Sequence, residues 1–231
     1  MPVGVVDHNG IYKGTTTFTG NDLISYVDNS GTPNIVTGTI KESNSDSFVK
    51  WGRASGGTYR DAINGTQTML MTNWVTGIAT PSATISALNG AGITGIYIIT
   101  KSTAPYIVSS GGTVTTGLTD SVTGGLILNF GTYKLAYNLI IPIAGKVVSL
   151  TGLNVSLAAG SAKFSDNNTF ISGTGTGTTS SGILSNNASV EGSLFGPNAE
   201  RAGLQYGVQV TGAGLPGRGG NLFGSVVGTK Q

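Results

Sequence analysis

Glycine and β-branched residues recur along this chain at intervals too short for a long helix to persist. Glycine alone appears 38 times in 231 residues, and each glycine inside a helix costs roughly 1 kcal/mol relative to alanine. What remains are short apolar or alternating runs bounded by turn residues, which is the pattern of strands. Such runs occupy 35–41, 47–53, 68–75, 94–101, 121–130, 133–141, 146–156, 169–173, 182–185, 188–195, 204–210 and 222–228.

The punctuation fits this reading. Asn64-Gly65 and Asn89-Gly90 are turn dipeptides, because both residue types tolerate positive φ. Gly131-Thr132 marks a tight hairpin, Pro142 ends the run that follows, and Ala144-Gly145 opens the next. Connections this short force antiparallel pairing, so 121–156 is predicted as a three-strand meander. Along its last strand Val147, Ser149, Thr151, Leu153, Val155 and Leu157 form the more apolar face. Leu150, Gly152, Asn154 and Ser156 form the small or polar one. One buried and one wet face is the mark of an antiparallel sheet, and closure into a barrel would remove its edges. One short helical turn is expected near 197–202, with Pro197 in its first turn and Gly203 as its stop. Residues 1–34 are the least patterned and are expected to be an N-terminal extension or extra strands; 35–231 are expected to form a single barrel domain.

Only 10% of residues are charged and the net charge is +2, so neither charge-driven disorder nor a basic nucleic-acid face is indicated. The chain has no cysteine, which removes disulfides, thiol nucleophiles and thiolate metal sites together. No apolar run approaches the roughly 18 residues of a membrane-spanning helix, and the first residues do not read as an export signal.

The run Gly192-Ser193-Leu194-Phe195-Gly196-Pro197-Asn198-Ala199-Glu200-Arg201-Ala202-Gly203, continuing to Tyr206, resembles the closing motif of the barrel in transferrin-binding-protein-B-like surface proteins. It is most similar to the barrels attached to FecR-domain proteins of proteobacteria. Weaker likeness extends through Val49-Lys50-Trp51-Gly52-Arg53, Leu128-Asn129-Phe130-Gly131 and the terminal strand from Gly224. The resemblance implies an up-and-down antiparallel barrel of about eight strands with additional N-terminal strands, and export to the bacterial surface. In that setting Phe195 would plug one barrel end, Gly196, Pro197, Asn198 and Gly203 would shape the closing turn, and Glu200 and Arg201 would face solvent.

Candidate chemistry is sparse. The sole histidine, His8, stands before a turn-like Asn9-Gly10 and cannot by itself build a metal site or a triad. Asp28, Asp46 and Asp166 sit among Asn and Ser, a turn context rather than a carboxylate pair across a cleft. Asp166-Asn167-Asn168 offers fewer oxygens than the six to eight calcium takes. The glycine-rich 173–182 lacks the Gly-Lys-Ser/Thr ending of a phosphate loop. Tyr97, Tyr106, Tyr133, Tyr137 and Tyr206 are possible haem-iron ligands, though tyrosine is also a common strand residue. Trp51 and Trp74 are expected in the barrel core or at its rim, with Trp51 beside Arg53 placed for an aromatic–cation contact.

The sequence therefore points to a non-enzymatic, exported, extracellular or cell-surface protein that calls for no cofactor. The first reading is a structural, self-assembling or adhesive subunit of a filament or matrix. In it Ile11, Tyr12, Thr15, Thr17 and Phe18 would add as a strand to a neighbour, and the low charge does little to oppose association. The alternative is a barrel module whose loops near 54–67, 102–112 and 157–168 capture a partner protein or a haem or iron carrier. Either way the partner is another copy or another surface protein, not a nucleic acid.

Overall fold

The computed structural model describes residues 5–7, 10–12, 14–28, 33–36, 38–61, 65–109, 111–115, 121–143, 145–157, 159–166, 170–175, 188–212, 215 and 219–231. They form two antiparallel sheets and one short helix.

The first sheet contains β1 (Val5–Asp7), β2 (Gly10–Tyr12), β3 (Gly14–Thr19), β4 (Asp22–Asp28), β5 (Pro33–Val36), β6 (Thr39–Ser45), β7 (Val49–Asp61) and β8 (Gly65–Gly77). Its order is β2-β1-β8-β7-β5-β4-β3, with β6 pairing the first part of β7. One residue separates β2 from β3 in the chain, so the two ends of this order lie within about 7 Å and the sheet must curl. Trp74 is fully buried and lies across Gly52, where an added Cβ would stand 2.3 Å from the indole. Leu23 and Ala54 of the same sheet are also fully buried. Strands on both sides of residue 34 share this sheet, so a division at 34/35 does not coincide with a change of sheet.

From β8 the chain crosses through 78–81 into helix α1 (Ser82–Gly90). The second sheet follows: β9 (Thr94–Ser102), β10 (Tyr106–Val108), β11 (Val114–Thr115), β12 (Thr123–Asn129), β13 (Lys134–Ile143), β14 (Lys146–Ser156), β15 (Lys163–Asp166), β16 (Phe170–Gly175), β17 (Ala188–Phe195), β18 (Arg201–Thr211) and β19 (Gly219–Lys230). The order is β15-β17-β18-β19-β9-β12-β13-β14-β16. A bridge between Leu157 and Phe164 joins the end of β14 to β15 and nearly closes the sheet as a barrel. The expected all-β antiparallel barrel with extra N-terminal strands is thus the observed architecture, and 121–156 form the expected meander.

Several local expectations are corrected. The helix lies at Ser82–Gly90, and 196–199 form a β-turn closed by the Ala199 amide donating to the Gly196 carbonyl at 3.2 Å. Strand β18 has already begun at Arg201, so Gly203 is a strand residue rather than a helix stop. Asn89-Gly90 closes α1, and the chain reverses just beyond it at Gly92, whose φ is +64°. Pro142 stays within β13, opposite Val147. Along β14 the apolar face is the reverse of the expected one at first: Val148 and Leu150 point inward, while Leu153 is 73% exposed. Register explains this. Leu135 pairs Val155 but Tyr137 pairs Gly152, so β14 carries one extra residue, with Asn154 at φ +59°. That bulge flips the phase, and Val155 and Leu157 again face inward.

The barrel interior is filled. Tyr97, Leu126, Leu139, Leu150, Leu204 and Tyr206 are among its buried side chains. Ile85 of α1, fully buried, stoppers one end. The helix is fixed there by Asn89, whose Nδ2 donates to the Phe130 carbonyl at 2.7 Å, and by Thr84 Oγ1 donating to the Pro197 carbonyl at 2.9 Å.

Candidate functional site

The closing motif lies where the two sheets meet. Phe195 ends β17 and is 1% exposed. It does not plug the barrel: it clusters with Val49, Trp51, Val75 and Val227 in a seam between β7–β8 and the outer face of β17–β19. Gly203 lets the sheets touch, since a Cβ there would sit 2.3 Å from Val75 Cγ1 and 2.7 Å from the Phe195 ring. The crossing segment is stitched on both sides. The Ile78 amide donates to the Phe48 carbonyl at 3.0 Å, the Gly196 amide to the Ile78 carbonyl at 2.8 Å, and the Thr80 amide to the Leu194 carbonyl at 3.0 Å.

Glu200 shapes the turn. Its carboxylate accepts from the Asn198 amide at 2.9 Å and from Asn198 Nδ2 at 3.0 Å, folding back over Gly196, where a Cβ would meet the carboxylate. Burial acts to raise its pKa, but these donors and Lys230 outweigh that and hold it below the usual value. Arg201 Nε bonds Asp46 Oδ2 at 2.6 Å across the seam. Asp46 also accepts from the Phe48 and Val49 amides. Burial again opposes ionisation there, yet the amides and Arg201 bring the carboxyl below its ordinary range. Glu200 and Arg201 are therefore half-buried and partnered rather than simply facing solvent.

The other end of the seam is polar. Arg53 Nε pairs with Glu42 at 3.2 Å, and the Ala104 amide donates to the same carboxylate oxygen at 3.0 Å. Asn73 Nδ2 donates to Tyr106 Oη at 3.2 Å. Ala104 and Tyr106 are available because β9 breaks before β10 at Thr103-Ala104-Pro105. Thr103 Oγ1 there accepts the Ser225 amide at 2.9 Å, in place of a ladder bond. Most of these contacts join residues far apart in the chain, up to 155 positions for Arg201 and Asp46, which is why no local pattern signals them.

The remaining candidates fall elsewhere. Trp51 is in the seam and Trp74 in the first sheet, so neither is in the barrel core. Arg53 reaches Glu42. Tyr97, Tyr137 and Tyr206 are inside the barrel and Tyr106 is buried at the seam. Burial, with Glu200 nearby, pushes the Tyr97 phenol far up; burial, with Tyr106 and Glu42, does the same to Tyr206. Phenolate ligation of iron is disfavoured at both. Ile11 and Tyr12 pair with Val6 and Val5, and Thr15, Thr17 and Phe18 pair with Val27, Ser25 and Leu23, all within the chain's own first sheet. Of Ile11, Tyr12 and Thr15 the pairing alone is described. Thr17 is exposed, and Phe18 lies under Lys50 Nζ at 4.5 Å. His8, Asn64, Asn167, Asn168 and 182–185 lie outside the described residues, as does most of the glycine-rich 173–182. Among the described residues no three of His, Cys, Asp and Glu gather in one place, and no helix is long and apolar enough to cross a membrane.

No family model matches the chain, and no curated protein matches it. Solved structures do. A single-substitution variant of transferrin binding protein B from Haemophilus parasuis Hp5 superposes with a TM-score of 0.51 at 14% identity, covering 100% of this chain and 44% of that one. The isotype 1 transferrin binding protein B from serogroup B Neisseria meningitidis gives 0.48 at 14% identity, with 100% and 43% covered. HpuA from Kingella denitrificans, in complex with human haemoglobin, gives 0.41 at 12% identity, with 100% and 86% covered. The chain thus spans less than half the length of the transferrin binding protein B chains it matches. At these identities the likeness is one of architecture, and the fold is transferrin-binding-protein-B-like.

Proposed function

We propose that this chain is a non-enzymatic, exported lobe that captures a partner protein at a bacterial surface. The observation that carries the reading is the superposition of the whole chain, first sheet and barrel together, on one part of transferrin binding protein B. By its name that neighbour binds transferrin, which favours capture over a filament, matrix or adhesive subunit. The physical form agrees. A barrel whose interior is filled by its own side chains has its binding area outside, on loops and strand faces. Two sheets locked at both ends of a seam hold that area rigid, which lowers the ordering cost of association. The tie to FecR-linked barrels rests on the segment from Gly192 to Tyr206 and belongs with this reading, as does cell-surface location.

The test is direct binding of the folded chain to immobilised proteins, beginning with transferrins and haemoglobins of several hosts, alongside light scattering. Saturable retention of one of them is expected. Failure to bind these carriers, together with particles that grow with time, would return the chain to the structural-subunit reading.

A further inference from the structure

Five of the large aliphatic side chains left exposed gather on one outward face of the barrel. Ile96 and Ile98 of β9, Ile127 of β12, Ile140 of β13 and Leu153 of β14 are 46%, 44%, 52%, 37% and 73% exposed. Register makes them neighbours. Ile96 is directly opposite Ile127, and Ile127 opposite Ala136. The bulge on β14 puts Leu153 outward beside Ala136. Ile98 faces Gly125, and a Cβ on that glycine would stand 3.7 Å from the isoleucine's Cδ1. Thr94, Thr123, Asn129, Lys134, Asn138 and Thr151 share the face. Among the described residues of these four strands there is no carboxylate, and their lysines, Lys101, Lys134 and Lys146, stand at or next to strand ends. The first sheet joins the barrel through β17–β19 instead, so this face is not part of the seam.

We propose that this face pairs with the same face of a second copy of the chain. Apart from Lys134, which stands at one corner of the face opposite Asn129, the surface carries no charge and can meet its own image with little like-charge repulsion, whereas a strongly charged partner would find little to pair with. Four strands about 4.8 Å apart and four pleat rows give a footprint of roughly 500 Å². Two copies together remove roughly 1,000 Å², the lower bound for a specific interface. The expected pair is therefore weak and concentration-dependent. It is isologous, so it closes at two copies and does not propagate into a filament. Its use to a capture protein is bivalency, which raises avidity without new contacts. The pairing does not depend on which partner is captured.

Sedimentation velocity of the full chain from low micromolar to about millimolar concentration reads it. The expected result is a reversible monomer–dimer equilibrium whose dissociation constant rises at least tenfold in Ile127→Lys, because a two-fold axis places the new charge in the contact twice. Leu70→Lys, at an exposed site on the first sheet, serves as control and leaves the equilibrium unchanged. Circular dichroism checks that Ile127→Lys folds, and Leu153→Lys repeats the test at the most exposed position. A wild-type chain that stays at 23.3 kDa throughout overturns the proposal, whether or not it floats with lipid vesicles. So does a dimer that survives both folded lysine variants.

Discussion

If the two sheets are held together by direct steric fit at Gly203, a methyl group should be movable from one sheet to the other. In Gly203→Ala the new Cβ would stand 2.3 Å from Val75 Cγ1 and 2.7 Å from the Phe195 ring, so something must move by more than 1 Å by ordinary contact distances. Val75 is 6% and Phe195 1% exposed, leaving little room. Overpacking of this kind costs about 1–3 kcal/mol, and the upper half of that range is expected. Val75→Ala alone deletes the methyls that Gly203 receives. Two buried methyl-sized groups at about 0.8 kcal/mol each, with a cavity contribution, come to about 2–3 kcal/mol. Independent effects would sum to about 4–6 kcal/mol in the double variant.

In the double variant, however, the methyl added at position 203 enters space vacated by Val75. A loss of only about 2–3 kcal/mol is therefore expected, with a coupling energy of at least about 1 kcal/mol. Urea unfolding followed by tryptophan fluorescence is the assay, because Trp51 is the register partner of Val75 and lies in the same cluster. At about 2–4 °C per kcal/mol for a chain of this size, thermal melts should separate the double variant from the additive expectation by several degrees, on the order of 2–8 °C. Additivity within about 0.5 kcal/mol would refute the seam as described.

Three further outcomes follow from the same geometry. Thr103→Val keeps the shape but leaves the buried Ser225 amide without the acceptor it has at 2.9 Å, costing about 1–3 kcal/mol in chemical unfolding. Tyr206→Phe should be neutral or slightly stabilising in the same assay, within about 0.5 kcal/mol, because its hydroxyl is buried with no bonding partner among the described residues. Asp46→Asn should weaken the chain by less than about 1 kcal/mol at pH 7, as befits a part-exposed pair. Since the folded carboxyl titrates below its unfolded value, that contribution exists above about pH 4. It fades as pH falls through the folded pKa, so wild type and variant should converge in acid melts. A constant gap across pH would show that charge is not what Asp46 contributes.

Alternation and turn chemistry made the meander from β12 to β14 readable, because its pairings are local and its turns use Gly131 and Gly145. The alternation changes phase at Asn154. An extra residue in one strand leaves no mark in composition, only in the register against β13. Helix α1 escaped notice because nine residues with one fully buried position, Ile85, carry too little periodicity to stand out. The motif around Phe195 was visible, but its orientation was not. A strand residue points inward or outward according to register, and a phenylalanine at a strand end fits either a barrel core or an external seam. What decides between them is Gly203, one strand away, whose missing side chain matters only because Val75 arrives from the first sheet.

That long-range dependence bears on where function can reside. The barrel spends its interior on its own side chains. The seam commits its charges to Asp46–Arg201 and Glu42–Arg53. Among the described residues, neither region gathers three His, Cys, Asp or Glu side chains that could hold a metal ion. Polar groups so committed to joining two sheets are costly to remove and poorly placed to vary, while loops and outward strand positions carry no such burden. An outward isoleucine on β9 or β12 contributes little to the barrel's stability, since about half of it is already in water. A lysine at Ile127 should thus leave melting nearly unchanged while altering association. A large loss of stability instead would mean that the face serves the fold rather than a partner.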